Sequence, residues 1–245
     1  MNAAGALVVI PTYNERENAE LIIRAVLGLP TGFDILIVDD NSPDGTAAVV
    51  KELLPEFPNR LFLAERPGKQ GLGTAYLHGF HWALARGYEF VFEMDADFSH
   101  NPADLERLLA ACRDEGADLA IGSRYSSGVN VVNWPMSRVL MSYFASAYVR
   151  TITGMPVHDT TAGFKCYRAL VLRTIPLDRI RFVGYAFQIE MKFLAWCYGF
   201  RIQEGPIIFT DRTRGQRKMS KGIFREAVFG VMQMKIDSLF RSFTR

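Results

Sequence analysis

The chain has 245 residues, 49% of them hydrophobic and 22% charged, which is enough for one large α/β domain and too few for two of full size joined by a linker. A formal net charge of +2 gives no bulk-charge argument for nucleic acid, so an electrostatic partner has to be read from where the charges lie. Cys112, Cys166 and Cys197 are odd in number, far apart and without metal-ligand spacing, so they read as buried thiols of a reducing, cytoplasmic compartment rather than a disulfide framework.

From the first residue, the chain runs into the apolar strand Gly5-Ala-Leu-Val-Val-Ile-Pro11 with no basic leader or small-residue cleavage site, and no signal peptide is expected. No apolar run reaches the roughly 20 residues that span a bilayer. At a membrane, such a chain would lie on the surface or bind an integral-membrane partner protein. Short β-rich runs at 6–10, 34–38, 61–64, 90–94 and 119–122 alternate with helix-spaced apolar segments at 17–27, 46–53, 72–86 and 102–115, where Pro102 suits a first helical turn. The alternation predicts a mostly parallel sheet flanked by helices, a nucleotide-binding architecture in outline.

The second half is less regular, with helices expected at 136–153 and 186–198 and a strand at 202–210. The polar, glycine-punctuated stretch from Asp211 to Gly222 reads as a mobile loop. Six basic residues and no acidic one fall between Arg212 and Arg225. No aromatic residues interleave with them as single-stranded nucleic acid would require, so nucleic acid is not expected as a partner. At the end, Phe224, Val228, Val231, Met232, Ile236, Leu239, Phe240 and Phe243 fall at helical spacing among Arg225, Lys235, Arg241 and Arg245. The expected division is a catalytic domain over 1–222 and a C-terminal amphipathic helix over 223–245. That helix packs on the domain, docks on a membrane surface, or does both.

Two acidic pairs stand out, Asp39-Asp40 after the second strand and Asp95-Ala-Asp97 after the fourth. Both fall at carboxyl ends of parallel strands, where open α/β sheets form their ligand crevice. Asp95 and Asp97 can approach one hard cation, Mg²⁺ or Mn²⁺, which in turn can hold a diphosphate by its oxygens. Asp39 and Asp40 are like charges at the end of a buried strand and want donors, which ribose hydroxyls or a base edge would supply. Asp44 and Thr46 read as loop and cap residues. Pro11-Thr-Tyr-Asn-Glu15 brings a rigid turn, a ring and a carboxylate to the same edge: Tyr13 suits stacking on a base and Glu15 a hydrogen bond to the base or ribose, although Asn14 could simply cap a helix. Gly68-Lys-Gln-Gly-Leu-Gly73 matches neither phosphate-loop fingerprint and reads as a tight turn opening a helix, with Lys69 a minor contact.

In order and spacing, Pro11-Thr-Tyr-Asn-Glu15, Val38-Asp-Asp-Asn-Ser-Pro-Asp-Gly-Thr46, Lys69-Gln-Gly-Leu-Gly-Thr-Ala75, Asp95-Ala-Asp-Phe-Ser-His100, Gly122-Ser-Arg124 and Asp211-Arg212 resemble the family-2 glycosyltransferases of GT-A fold. The resemblance is nearer still to the dolichyl (polyprenyl) phosphate mannosyltransferases and spans nearly the whole chain. It implies a GT-A α/β fold and transfer of mannose from GDP-mannose to a polyprenyl phosphate. It also implies that Pro11, Tyr13, Glu15, Val38 and Asp40 line the nucleoside pocket and that Asp95, Ala96 and Asp97 hold metal and diphosphate. Arg124 would face the reacting phosphates while Arg212 and Lys218 close over the donor, making Asp97, Arg124 and Arg212 the catalytic groups. Trp134-Pro-Met-Ser-Arg138 and Ser142 look like the acceptor segment, in which arginine and serine grip the lipid phosphate. Arg217 stands where the family usually has serine, which loosens the register of Lys218 and brings Lys221 into play. The family's optional transmembrane helices do not follow the last helix, as expected either of its compact, peripheral members on the cytoplasmic face or of a truncated chain.

Because a lipid monophosphate is already an anion, it needs no general base, and inversion at the anomeric carbon is expected. A sister transferase using another donor, such as UDP-glucose, or a hydroxyl acceptor would leave Asp97 available as the base. A silent nucleotide-sugar-binding or membrane scaffold protein is disfavoured because every charged group required for catalysis is present.

Overall fold

In the computed structural model, which describes residues 5–211 and 222–244, the apolar runs of the first half become strands, buried on both faces except at 61–65, where the edge strand is only partly buried. They are β1 (Ala6–Thr12), β2 (Asp34–Asp39), β3 (Leu61–Glu65), β4 (Phe90–Glu93) and β5 (Leu119–Ser123), each within two residues of its expected range. The helices between them are α1 (Arg16–Leu27), α2 (Thr46–Leu53), α3 (Leu72–Ala85) and α4 (Asp104–Arg113). Pro102 lies in the turn ahead of α4 rather than inside its first turn.

Beyond β5 follow β6 (Val131–Val132), α5 (Met136–Thr153), β7 (Lys165–Arg168), α6 (Ala169–Thr174), α7 (Tyr185–Cys197), β8 (Ile202–Pro206), β9 (Phe209–Thr210) and α8 (Gly222–Leu239). The main sheet runs β3-β2-β1-β4-β7-β5-β8. Every neighbouring pair is parallel except the two made by β7, which enters antiparallel between β4 and β5. The strand expected over 202–210 is broken. β8 ends at Pro206, whose nitrogen cannot donate to a ladder, and β9 pairs instead with β6 in a separate two-stranded sheet.

Alternation along the strands sends Leu7, Val9, Leu36, Val38 and Val91 toward α3 and α7, and Val8, Ile10, Ile35, Ile37 and Phe92 toward α1, α2 and α4. The result is three layers, α/β/α, with a core on each face of the sheet. Gly79 lets α3 lie close on β1, because a Cβ there would collide with the Val9 side chain. Cys112 and Cys166 are buried and Cys197 is half-buried, all as free thiols.

α8 packs against α5 and α7, burying Val231 and Met234. Much of its apolar stripe faces outward: Phe229, Met232, Ile236 and Leu239 are exposed, as is Phe240 just past its end. α5 likewise exposes Met136, Leu140, Met141, Tyr143 and Phe144. Phe224 and Val228, assigned to the same stripe, lie outside the side chains described. Among the described residues no helix is long and apolar enough to cross a membrane.

Candidate active site

The carboxyl ends of β1, β2, β4 and β5 open onto one edge of the sheet. After β1, β2 and β4 the chain turns through a left-handed residue, Asn14 (φ 55°), Asn41 (φ 54°) and Phe98 (φ 58°). Asparagine tolerates that conformation, whereas Phe98 holds it at a cost of order 1 kcal/mol or more. Asn14 is thus a turn residue rather than the helix cap of the alternative reading, and α1 begins without a side-chain cap bond.

On the β1 and β2 side, Asp39 finds its donors within the chain. Thr12 Oγ1 donates to it at 2.8 Å, and the Ser42 amide and hydroxyl donate at 2.9 and 2.6 Å. Asp40 takes Arg66 Nε on Oδ1 at 2.6 Å, both side chains being more than nine-tenths buried. The expectation that a ligand supplies the donors of both aspartates is corrected accordingly: Asp39 braces the loop, and Asp40 is anchored by an arginine that the sequence reading did not single out. Asp44 accepts from the Arg16 and Thr46 amides and the Thr46 hydroxyl, which hold its carboxyl below the usual carboxylate range against the upward push of burial. Glu15 is buried and accepts from Asn18 Nδ2 at 2.9 Å. Tyr13 and Pro11 are half-buried, and Lys69 Nζ lies 4.9 Å from the Tyr13 ring centre, bringing the 68–73 turn to the same edge. The Val38 side chain is fully buried in the α3-side core, so only its backbone reaches the edge.

After β4, the Asp95 side chain is 38% exposed, with Tyr76 Oη donating at 3.4 Å from below. Burial and then Asp95 push the Tyr76 hydroxyl far above its ordinary pKa, keeping it a neutral donor. Ala96 is buried; Asp97, 7% exposed, accepts from the Ser99 amide at 3.1 Å. Among the described residues no cluster of three or more His, Cys, Asp or Glu is poised to hold a metal. The donor set nevertheless fits a hard divalent cation in its chemistry, with two carboxylates, Asp95 and Asp97, separated by one residue. His100, 3% exposed, has its Nδ1 4.0 Å from Asp95 Oδ2 and without a hydrogen-bond partner among the described residues. Burial lowers its pKa to about 4, so the ring is neutral at physiological pH.

The His100 ring links the two halves of the site. It stacks on Phe164 at 4.9 Å and meets Phe209 edge-on at 5.3 Å, and Phe209 in turn meets Trp134 at 5.2 Å. Arg124, at the end of β5, lies 5.4 Å from the Trp134 ring centre and 5.5 Å from that of Phe209. Its Nε and Nη2 donate to the two oxygens of Asp159 at 2.7 and 2.6 Å, and Nη2 also donates to Thr161 Oγ1 at 2.8 Å. Sequence reasoning missed Asp159, which is a fully buried fork partner; burial pushes its carboxyl up, but Arg124 outweighs that and holds it below the usual range. Arg124 therefore faces the site as half of a fixed ion pair rather than as an open cation.

Arg138 stacks 3.8 Å over Trp134 and donates from Nη1 to Asp211 Oδ1 at 2.9 Å. Ser142, one turn along α5, neighbours the Tyr125 hydroxyl. Arg212 and Lys218, with Arg217 and Lys221, lie outside the described residues. Beneath the site, Glu93 receives Tyr167 Oη at 2.8 Å and Gln188 Nε2 at 2.7 Å and pairs with Lys165 at 3.0 Å, all of them buried. Lys192 donates to the Thr160 and Ala162 carbonyls at 2.9 and 2.6 Å, tying α7 to the loop that carries Asp159. The signal for this network was charge inside apolar runs, Glu93 in Phe90-Val-Phe-Glu-Met94 and Lys165 in Gly163-Phe-Lys-Cys166.

Residues 7–175 match the family described as Glycosyl transferase family 2. A polyprenol monophosphomannose synthase of Mycolicibacterium smegmatis is 50% identical over 94% of this chain and 86% of its own. An undecaprenyl-phosphate mannosyltransferase of Micrococcus luteus is 47% identical over 92% of this chain and 91% of its own. Among solved structures, glucosyl-3-phosphoglycerate synthase from Mycobacterium tuberculosis, in complex with Mn²⁺, UDP and glucosyl-3-phosphoglycerate, superposes with a TM-score of 0.67. It covers 97% of this chain and 80% of its own at 15% identity, which speaks for the shared GT-A fold alone. Fold, strand-end carboxylates and sequence matches agree that this chain is a glycosyltransferase and belongs to glycosyl transferase family 2.

Proposed function

We propose that the chain transfers mannose from GDP-mannose to a polyprenyl phosphate, with inversion at the anomeric carbon and release of GDP. The observation that carries this reading is the run of ring contacts that joins the Asp95–Asp97 turn, through His100 and Phe209, to Trp134 and its two arginines. A donor diphosphate and an anionic acceptor would meet across that run. The names of the two relatives, at 50% and 47% identity, support mannose and a polyprenyl phosphate.

In this reading Pro11, Tyr13 and Glu15, with the Val38 backbone, hold the nucleoside, and Asp40, anchored on one oxygen by Arg66, offers the other to the ribose or base. Asp95 and Asp97 hold Mg²⁺ or Mn²⁺, which when bound supplies Lewis-acid stabilisation of the departing diphosphate. Arg212 and Lys218 add positive charge to the same leaving group, and Ala96 lets the backbone approach it. Arg138 and Ser142 hold the acceptor phosphate, while the Arg124–Asp159 pair fixes the wall against which it is placed. A phosphate oxygen attacks the anomeric carbon as the bond to the diphosphate breaks, and no proton need be removed because the acceptor is already ionised.

The exposed apolar faces of α5 and α8 support docking on a membrane surface, where the acceptor's polyprenyl chain resides, with the cytoplasmic face as the site of action. The test is to offer a panel of labelled nucleotide sugars with polyprenyl phosphate and to determine the anomeric configuration of the lipid product by NMR. Use of GDP-mannose and a β-linked product are expected; an α-linked product from the α-linked donor would overturn the mechanism, and preference for another nucleotide sugar would overturn the donor.

A further inference from the structure

We propose that Lys192 and Glu204 are positioning residues for the acceptor: they clamp the loop over 158–162 and through it set where Arg124 stands relative to Arg138 and Ser142. The inference rests on the acceptor reading above and deepens it. Two neighbouring residues of the loop face the two walls of the acceptor site. Asp159, fully buried, takes Nε and Nη2 of Arg124 on its two oxygens and the Arg124 amide at 2.9 Å, so the end of β5 is bound to it. Thr160, also fully buried, faces α5, where its Oγ1 donates to Ser146 Oγ at 3.3 Å. Ser146 lies one turn beyond Ser142 and two beyond Arg138 on that helix. A shift of this loop therefore moves Arg124 against α5.

Two side chains hold the loop from different elements. Lys192 of α7 is fully buried and directs its three donors at carbonyls: Thr160 O at 2.9 Å, Ala162 O at 2.6 Å and Gln188 O at 3.2 Å. From β8, Glu204 accepts the His158 amide at 2.7 Å on Oε2, which also lies 2.9 Å from His158 Nδ1, and the Asp159 amide at 2.9 Å on Oε1. Loop carbonyls thus end on an ammonium and loop amides on a carboxylate, with Asp159 between them facing Arg124. A buried ammonium is costly to keep, and an apolar side chain would fill the same space in the core of α7. What its donors hold is the reason for the charge.

The clamp belongs to one end of the site. β5 and β8 lie at one end of the sheet order, whereas the nucleoside side hangs on β1, β2 and β3, with Asp40 held by Arg66. Loosening the loop should therefore disturb the acceptor and spare the donor.

The experiment is steady-state kinetics of Lys192→Met and Glu204→Gln, each also in an Arg124→Lys background, with polyprenyl phosphate and GDP-mannose varied in turn. Thermal melts identify the variants that fold, and Glu204→Gln, which keeps the shape of its side chain, decides the matter should Lys192→Met fail to do so. The expected result is a KM for polyprenyl phosphate raised about tenfold by Lys192→Met and about threefold by Glu204→Gln, with the KM for GDP-mannose unchanged. Both effects should shrink once Arg124 has lost its fork, because the loop acts through that arginine. A merely structural role would lower the melting temperature without moving one KM alone. An unchanged acceptor KM in a folded variant would overturn the proposal, as would an equal rise in both KM values or a rise undiminished with Arg124→Lys. If the wild type binds GDP-mannose but shows no saturable response to polyprenyl phosphate, the acceptor reading itself falls and the proposal with it.

Discussion

At the scale of single residues, the site is built from charges whose partners lie far away in sequence. Asp159 shows this most clearly: nothing in His158-Asp-Thr-Thr-Ala162 marks it as the partner of Arg124, 35 positions earlier. Asp39, Asp40, Asp95 and Asp97 were legible because strand ends in a parallel sheet announce a crevice; Arg66 and Asp159 were not, because a buried ion pair is a tertiary fact. Replacing Asp159 with Asn should destabilise the fold by about 3–5 kcal/mol, since it leaves the Arg124 charge uncompensated. The pH dependence has a definite sign. The folded carboxyl titrates below its unfolded value of about 3.9, so its stabilisation is present above that value and is lost as pH falls through the lower, folded one. Urea denaturation should therefore give a gap between wild type and Asp159→Asn that is constant from pH 5 to 8 and narrows only below about pH 4. A gap that changed between pH 5 and 8 would mean that another group carries the effect.

At the scale of elements, the first half follows its pattern because its central parallel strands are buried on both faces and each helix on one, which writes a readable period into the chain. The second half breaks that rule. β7 has four residues, begins with a lysine and ends with an arginine, so no alternation marks it; its place between β4 and β5 is fixed by register with both neighbours and by the Glu93–Lys165 pair. The split between β8 and β9 was equally hidden, because the strand signal continues across Pro206 while the pairing does not. Helix placement matters to the site through α3, which brings the Tyr76 hydroxyl under Asp95. Gly79→Ala should push α3 off Val9 and cost about 1–3 kcal/mol by overpacking, read as a lowered urea midpoint with an unchanged slope. An unaltered midpoint would show that the helix–strand approach is not tight.

At the scale of the whole molecule, the C-terminal amphipathic helix expected from the sequence is present and packed, yet it turns part of its apolar stripe outward, with Phe240 84% exposed. Periodicity identified the stripe but could not say which part of it meets α5 and α7. Met136 and Phe144 of α5, at 69% and 63% exposure, add large exposed apolar side chains on a helix packed against α8. Phe144→Glu combined with Phe240→Glu should reduce co-sedimentation with anionic lipid vesicles at least tenfold while leaving GDP-mannose binding intact. Equal sedimentation of variant and wild type would contradict docking through this surface. The central claim, a metal-dependent transfer to a lipid phosphate at the Asp95–Asp97 edge, is tested most directly by incubating the protein with radiolabelled GDP-mannose and polyprenyl phosphate and counting label in the organic phase. The account predicts labelling with Mg²⁺ or Mn²⁺, none with chelator, and a loss of at least a hundredfold in Asp97→Asn. Labelling that persists in chelator, or survives in Asp97→Asn, would contradict it.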